Sequence, residues 1–489
     1  MRKQVFFLGA AAGLVLGTAL GASDALLVLD PVVVSARGRP TPLSSTPGGI
    51  GVIEEETVFF EQPISVTNVI DRIPGVGKSS DSAWGSAVNI RGLGRSRVVF
   101  LIDGARVNTA TDINARFGLV DPLDIARIEV LKGPVSALYG SGAIGGVVNV
   151  RTVGGEFRDH PVWRGSVVIA ADTNPRGLTL HGDLAYEGPR LWVRGSAALR
   201  DADSYEDGSH ELIENSQWAD GHGSLRAGWK WDPFSRTEFQ VQAMDADDVG
   251  VPGKGLALPV GPDVTYPDTE RLLLQLRHTL LPQSPVWQES SLQVYRQTVE
   301  RRVRIDAFPG GPVAEVRPGA DHTTWGTRWQ NVLTVGRHTV TAGADVWRWA
   351  YEGRRERRFR DGRVVIDTPL SDSHMLSAGV FGEDEWVLTD ALTLSLGGRV
   401  DRHDSESDAA YRTIQPPGPI VREATEYTDI SWSAHAGLAY RFLPDWSTTL
   451  LGARSYRAPD LMDRFKYIFL GAAGEVYGNP ELDPEQSVF

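Results

Sequence analysis

From about Trp163 onward, apolar and polar residues alternate with period two in one segment after another, and no later stretch holds about 18 apolar residues in a row. In Leu178 to Tyr186 the even positions are Leu178, Leu180, Gly182, Leu184 and Tyr186, and the odd ones Thr179, His181, Asp183 and Ala185. Leu191 to Arg200 and Leu392 to His403 repeat the pattern. Period two sends the two sets to opposite faces of a strand. About 13 such segments can be marked, and their connections alternate in length. Short turns fall at Glu187 to Arg190, Asp232 to Ser235, Leu281 to Pro285, Gly336 to Arg337, Leu388 to Ala391 and Leu443 to Asp445. Long polar loops fall between them, over Asp201 to Gly221, Asp245 to Thr269, Ile305 to Thr323, Arg355 to Ser373, Asp404 to Thr428 and Arg457 to the end. The pattern predicts an all-β transmembrane barrel, a meander with tight turns on one rim and long loops on the other. Trp163, Tyr186, Trp192, Trp229, Trp231, Tyr440, Phe442 and Trp446 lie near segment ends, where an aromatic girdle belongs. A soluble barrel would turn its apolar face inward and need neither aromatic rims nor one-sided loops.

Thirteen antiparallel strands cannot close, because the first and last would pair in the wrong sense, so the chain reads as C-terminally incomplete. Phe489 is aromatic, as barrel ends often are, but the prolines within Pro480 to Gln486 argue against a strand there. At the other end Arg2 and Lys3 precede an apolar run from Val5 to Leu20, and small residues follow around Ala19 to Ala25, the layout of a cleaved secretory signal. The formal charge of −13, with six lysines among 49 basic residues, argues against nucleic acid as a partner. The absence of cysteine removes disulfides and thiol chemistry.

From Asp30 to Thr152 the texture is Gly-rich and mixed. Val98 to Ile102 and Ile128 to Leu131 read as buried strands, Val66 to Ile73 as a short helix stopped by Pro74, and Asp103-Gly104 as a turn. Gly140 to Gly145 matches G-x-G-x-x-G, but β-forming Val147 to Val150 follows where a dinucleotide site needs a helix. Gly77-Lys78-Ser79 lacks the first glycine of a phosphate loop, since position 72 is Arg72. Asp201, Asp203 and Asp207 have calcium-loop spacing, with Glu206 where the turn glycine belongs. No hydrolase constellation is visible, and the chain is read as a non-enzyme with no intrinsic cofactor and no resident metal.

The segments Asn89-Ile90-Arg91-Gly92, Leu101-Ile102-Asp103-Gly104 and Ile128-Glu129-Val130-Leu131-Lys132-Gly133-Pro134 resemble the plug domain of TonB-dependent outer-membrane receptors. The resemblance runs on through Tyr139-Gly140-Ser141-Gly142-Ala143-Ile144-Gly145-Gly146-Val147-Val148-Asn149. Tyr456-Arg457-Ala458-Pro459 and Gly478-Asn479-Pro480-Glu481-Leu482 are similar to paired signatures flanking a large outer loop in this family. Asp30-Pro31-Val32-Val33-Val34-Ser35-Ala36 resembles the TonB box, which the energy-coupling partner engages. The resemblance implies an N-terminal α+β plug inside a barrel of the 22-stranded type, about nine strands longer than seen here. The expected layout is signal 1–25, TonB box and linker 26–40, plug 41–155 and barrel 160–489. Arg91, Glu129 and Arg151 are expected to ion-pair with inward charges such as Arg194, Arg399 or Asp401.

The resemblance further implies TonB at the periplasmic side, outer-membrane lipid around the barrel, and an iron complex as cargo. The glycine run closing on Val147 to Thr152 is most similar to the haem-receptor branch, yet the plug apex and the loop between the outer signatures contain no His. Haem and ferric siderophore therefore stand level, with cobalamin third. Tyr467 or Tyr477 are phenolate candidates for haem, and His403 and His374 lie near the outer rim. Arg354, Arg355, Arg357, Arg358 and Arg360, led into by Trp347, Trp349 and Tyr351, form a candidate vestibule for an anionic chelate. A passive porin-like channel and a surface adhesin are the readings from other classes.

Overall fold

The computed structural model describes residues 32–33, 39, 41–42, 48–80, 82–109, 116–133, 137–252, 263–306, 311–443, 446–469 and 474–489. The signal segment, the TonB-box residues Asp30, Pro31, Val34, Ser35 and Ala36, and Pro134 of the plug motif lie outside them.

The N-terminal unit is a mixed sheet in the order Gly49–Glu54, Ile125–Lys132, Gly146–Thr152, Val98–Ile102, Ala105–Arg106. Gly146–Thr152 runs parallel to Val98–Ile102 and antiparallel to Ile125–Lys132. A strand covered on both faces reads as a continuous apolar run, which is why Val98 to Ile102 shows no alternation and is buried throughout. The helix expected over Val66 to Ile73 is a single turn, Thr67–Ile70, because Pro74 removes the space to propagate it. Phe100, Ile102, Phe117, Leu119, Ile128, Val130, Val148 and Val150 fill the core.

Thirteen long strands from Val162–Thr173 to Trp446–Arg457 follow, each antiparallel to the next, with Val364–Asp367 beside His338–Phe359. A fourteenth strand, Glu485–Val488, pairs with Trp446–Arg457. It begins immediately after Pro484, so the prolines delay this strand without abolishing it. The ladders are longer than the alternation suggested: Val313–Val335 has 23 residues. At about 3.3 Å per residue that is roughly 75 Å, against an apolar band of about 25 Å. Much of what reads as long loop is strand standing clear of the lipid. There both faces are wet and alternation fades while backbone pairing continues.

The wall is polar inside and apolar outside. Val167, Ile169, Ile430 and Leu450 are each more than 70% exposed, whereas the lumen-facing Arg399, Asp401 and His403 are at most 3% exposed. So much outward apolar surface requires lipid. Aromatic pairs mark the short-turn rim: Trp163 with Tyr186 (5.2 Å between ring centres), Trp229 with Trp231 (6.2 Å) and Phe442 with Trp446 (6.3 Å). Exposed Trp325 and Trp432 stand on the opposite edge of the band. Trp192 departs from the expected girdle: it faces the lumen, 2% exposed, over Gly155 and Gly228. Its parity with Arg194 and Arg200 puts it inside.

Candidate functional site

The site is the lumen itself, where plug meets wall. Asp103 opens the turn after Val98–Ile102 in a left-handed conformation (φ 50°), and Gly104 follows at φ 82°. The Asp103 carboxylate accepts hydrogen bonds from Thr152 N (3.0 Å) and Oγ1 (2.6 Å), and from wall side chains Gln240 (2.7 Å) and Gln242 (3.2 Å). Its carbonyl accepts from Gln275 and Gln293, both at 3.3 Å. Burial pushes the Asp103 carboxyl up, but Arg226 and the hydrogen bonds from Thr152 and Gln240 outweigh it and hold the group below the usual range. Elsewhere along the seam Asp121 bonds to His181 (2.7 Å), Asp124 pairs with Arg194, and Trp84 donates to Asp220 (2.8 Å).

These partners differ from the expected ones. Arg194 takes Asp124, while Arg399 is held by Asp345 and Asp401 of the wall. Glu129 is buried beside Arg127 (3.1 Å) within the plug, Arg91 lies over the Phe489 ring at 5.1 Å, and no carboxylate of the described residues ion-pairs with Arg151. The missed partners sit in Asp121-Pro122-Leu123-Asp124, a polar turn within an apolar stretch. That contrast is the one signal the sequence offered for them.

The remaining plug motifs build a loop that the wall grips. Gly146 has φ 147°, and a Cβ there would lie 2.0 Å from the Leu131 carbonyl oxygen. Asn149 accepts from Gly104 N at 3.3 Å, Gly92 N donates to Asn89 (2.7 Å), and Gly133 N donates to the Gly145 carbonyl (2.8 Å). Arg328 and Arg399 donate to the Leu138 carbonyl (2.8 and 3.4 Å), next to Tyr139, and Gly140 sits against the Arg399 guanidinium. Gly142 N donates to the Tyr456 carbonyl (3.4 Å), and Ala458 N donates to Ser141 Oγ (2.9 Å). Two motifs more than 300 residues apart in sequence therefore meet, through one backbone-to-backbone bond and one from backbone to hydroxyl.

Arg457 extends the junction, donating to Ser96 (3.2 Å) and to Glu485 (2.9 Å), which also holds Arg97 (2.6 Å). Past Pro459, Asp460 and Asp463 form a capping box on the short helix Leu461–Phe465. Burial and the neighbouring Asp463 push the Asp460 carboxyl up. Asn479 N donates to the Asp463 carbonyl (2.9 Å), and Pro480 offers its carbonyl to buried Arg464, which also pairs with Asp429 (2.5 Å). The second outer signature thus folds onto the helix that follows the first.

A cavity of about 70 Å³ lies at the plug apex, bounded by Trp347, Trp349 and Met375 of the wall, Arg116 of the plug, and Arg457 and Asp460. Among the described residues, Asn108 Nδ2, Thr109 Oγ1 and Arg116 Nε at its margin are buried and meet no hydrogen-bond partner. Burial lowers Arg116 to about 10, with Asp460 acting the other way.

The four sequence-derived ligand candidates are not brought together. His403 is fully buried and 3.0 Å from the Tyr456 hydroxyl, below the rim. His374 is 3.4 Å from Glu406, in a separate acidic cleft with Asp372 and Glu426. Tyr467 and Tyr477 face each other across a hairpin, ring centres 5.3 Å apart, and both hydroxyls donate to Glu475. The arginine cluster is only partly ion-paired: Arg355 and Arg357 share Asp367, Arg358 takes Glu356, and Arg360 donates to the Gly311 carbonyl. Asp207 turns onto the backbone of Ser209 and Glu211. His322 escaped the sequence reading: buried, it accepts from Trp349 Nε1 (3.3 Å) and lies 5.4 Å from the Tyr351 ring. Only the register of Val313–Val335 reveals that it faces inward.

The family description "TonB-dependent Receptor Plug Domain" matches residues 42–147, and "TonB dependent receptor-like, beta-barrel" matches residues 198–488. The chain is 26% identical over 498 residues to an iron-regulated outer membrane virulence protein of Vibrio cholerae, covering 97% of this chain and 67% of that protein. It is 24% identical over 491 residues to a hemin receptor of Yersinia enterocolitica, covering 94% and 64%. The structure of the copper transporter OprC superposes with a TM-score of 0.76 at 18% identity, over 90% of this chain and 68% of that one, a likeness of fold. The chain thus spans about two thirds of the length of the relatives it matches.

Proposed function

The chain belongs to the TonB-dependent receptors, non-enzymatic transport proteins of the outer membrane, and on that premise we propose that it imports an iron complex, haem or a ferric siderophore. The observation that carries this reading is the apex cavity, where tryptophan faces from the wall meet guanidinium groups from plug and outer loop. Flat π surface and fixed cations together suit a chelate with an aromatic or conjugated frame and carboxylate or phenolate edges. The names of the relatives, iron-regulated and hemin receptor, point the same way. Cobalamin is the second cargo on this fold.

The proposed layout keeps 1–25 as signal, 26–40 as TonB box and linker, 41–155 as plug and 160–489 as barrel. Val32–Val33 of the TonB-box segment pairs with Thr41–Pro42 at the start of the plug, and Arg39 of the linker bonds Glu385 (2.9 Å) near the short-turn end of its strand. This tether supports a coupling segment on the periplasmic side, where an extended β-branched strand can add to a partner's sheet edge. The test is growth of an iron-starved, receptor-deficient bacterium expressing the protein, on hemin, ferric siderophores or cobalamin, with direct binding measured in parallel. Deleting Asp30 to Ala36 is expected to abolish uptake and leave binding intact. Unchanged uptake would favour a passive channel, and binding of host protein without accumulation of any chelate would favour an adhesin.

A further inference from the structure

Two cavities in the lumen share a wall. The apex cavity lies towards the long loops, since Met375 is at the loop end of Ser373–Thr389 and Asp460 follows Trp446–Arg457. A larger one, about 290 Å³, runs between plug and wall towards the other rim. It reaches Arg236, Thr279 and Glu289, each within three residues of the short-turn end of its strand. Both cavities are lined by Arg106 of the plug and Trp347 of the wall. The Arg106 guanidinium stands 5.0 Å from the Trp347 ring centre and is pinned to the plug by the carbonyls of Tyr139 (2.6 Å) and Ser141 (3.0 Å).

From this geometry we propose that cargo crosses along this seam, that the Arg106–Trp347 pair is the gate between its halves, and that the lower half selects anionic chelates. The proposal rests on the importer reading and deepens it. One gatepost belongs to the plug and the other to the wall, so a displacement of the plug separates them without unfolding either. The wall strands concerned lie inside the sheet with neighbours on both sides. The charge is one-sided. Arg106, Arg151, Arg236, Arg277 and Arg328 line the lower cavity. Against them stand three carboxylates, of which Asp345 is shared between Arg399 (2.7 Å) and Arg328 (3.2 Å) and Glu238 lies near Arg236 (3.8 Å), so Arg151 and Arg277 carry the surplus. Among the described residues no carboxylate ion-pairs with Arg151 or Arg277. Low-dielectric walls focus such a surplus, so an anion entering from the apex is drawn inward.

Residues 1–489 contain no cysteine, so an introduced one is the single thiol among them. The full protein, reconstituted in planar lipid bilayers under a potassium chloride gradient, is expected to be closed as wild type and conducting as Trp347→Ala, with a reversal potential on the chloride side. With Ser291→Cys added, the negatively charged sulfonatoethyl methanethiosulfonate should block this current about tenfold faster than its trimethylammonium counterpart. Arg151→Glu with Arg277→Glu should invert that preference. Arg106→Gln, which leaves the wall intact, must open the same path and serves should Trp347→Ala fail to assemble. The proposal is overturned if both gate variants stay closed, if the cationic reagent reacts faster, or if Ser196→Cys on another part of the wall is blocked equally fast, since that means wholesale loss of the plug. TonB-dependent hemin uptake by the wild-type protein, assayed alongside, reads the importer assignment separately: uptake with closed gate variants sinks the gate alone.

Discussion

On one flank the plug rests on the wall through a continuous apolar cluster, in which Phe117 and Leu119 join Met244, Val249, Val264, Tyr266 and Val299 of the wall. On the other, the loop from Leu138 to Gly142 is held by Arg328, Arg399, Tyr456 and Ala458 through hydrogen bonds, most of them to backbone. The difference bears on how a stopper can be firm at rest and movable under pull. Apolar burial weakens only as surface is exposed to water, whereas each polar contact can be replaced by a water once separation begins. The gripped flank is therefore the one expected to release first, and the larger cavity lies along it.

The sharpest way to break this contrast is to damage the apolar seat. Tyr266→Ala is expected to cost about 3–5 kcal/mol of plug docking, as large aromatic truncations do. Protease protection of the plug in detergent-solubilised protein measures it, and full protection would show that the seat is dispensable. Arg399→Gln leaves Asp345 and Asp401 facing each other without their shared cation, for an expected loss of about 3 kcal/mol. Hydrogen exchange at the amides of residues 137–142 should rise while that of Leu119 stays slow. Gln240→Ala should cost about 1 kcal/mol, because Asp103 keeps Thr152 and Gln242. Denaturant-dependent plug proteolysis is sensitive enough to show it.

The smallest effect is in pH. The Asp103 carboxyl is depressed in the folded protein, so its contribution is complete above the ordinary carboxylate pKa and is lost as pH falls through the lower, folded value. Plug exchange should accelerate only below about pH 4, and Asp103→Asn should remove that acid limb. An unchanged acid limb in that variant would assign it to other carboxylates of the seam.

The barrel was legible because lipid and lumen impose opposite demands on successive residues, and period two records that directly in Leu178 to Tyr186. The plug strands were legible as unbroken apolar runs, and the glycine motifs because backbone positions such as Gly146 admit no side chain. The ends of the ladders were not, since outside the bilayer both faces of a strand meet water. Nor were the lumen's pairings: that Asp124 takes Arg194, that Trp192 points inward, or that Ser141 receives Ala458 depends on register and on plug orientation. Sequence by itself determined what must face lipid and what must stay polar, because solvent preference acts on each residue locally. Tertiary structure alone decided which arginine meets which carboxylate and where a passage remains, because those depend on distances between strands that the chain places hundreds of residues apart.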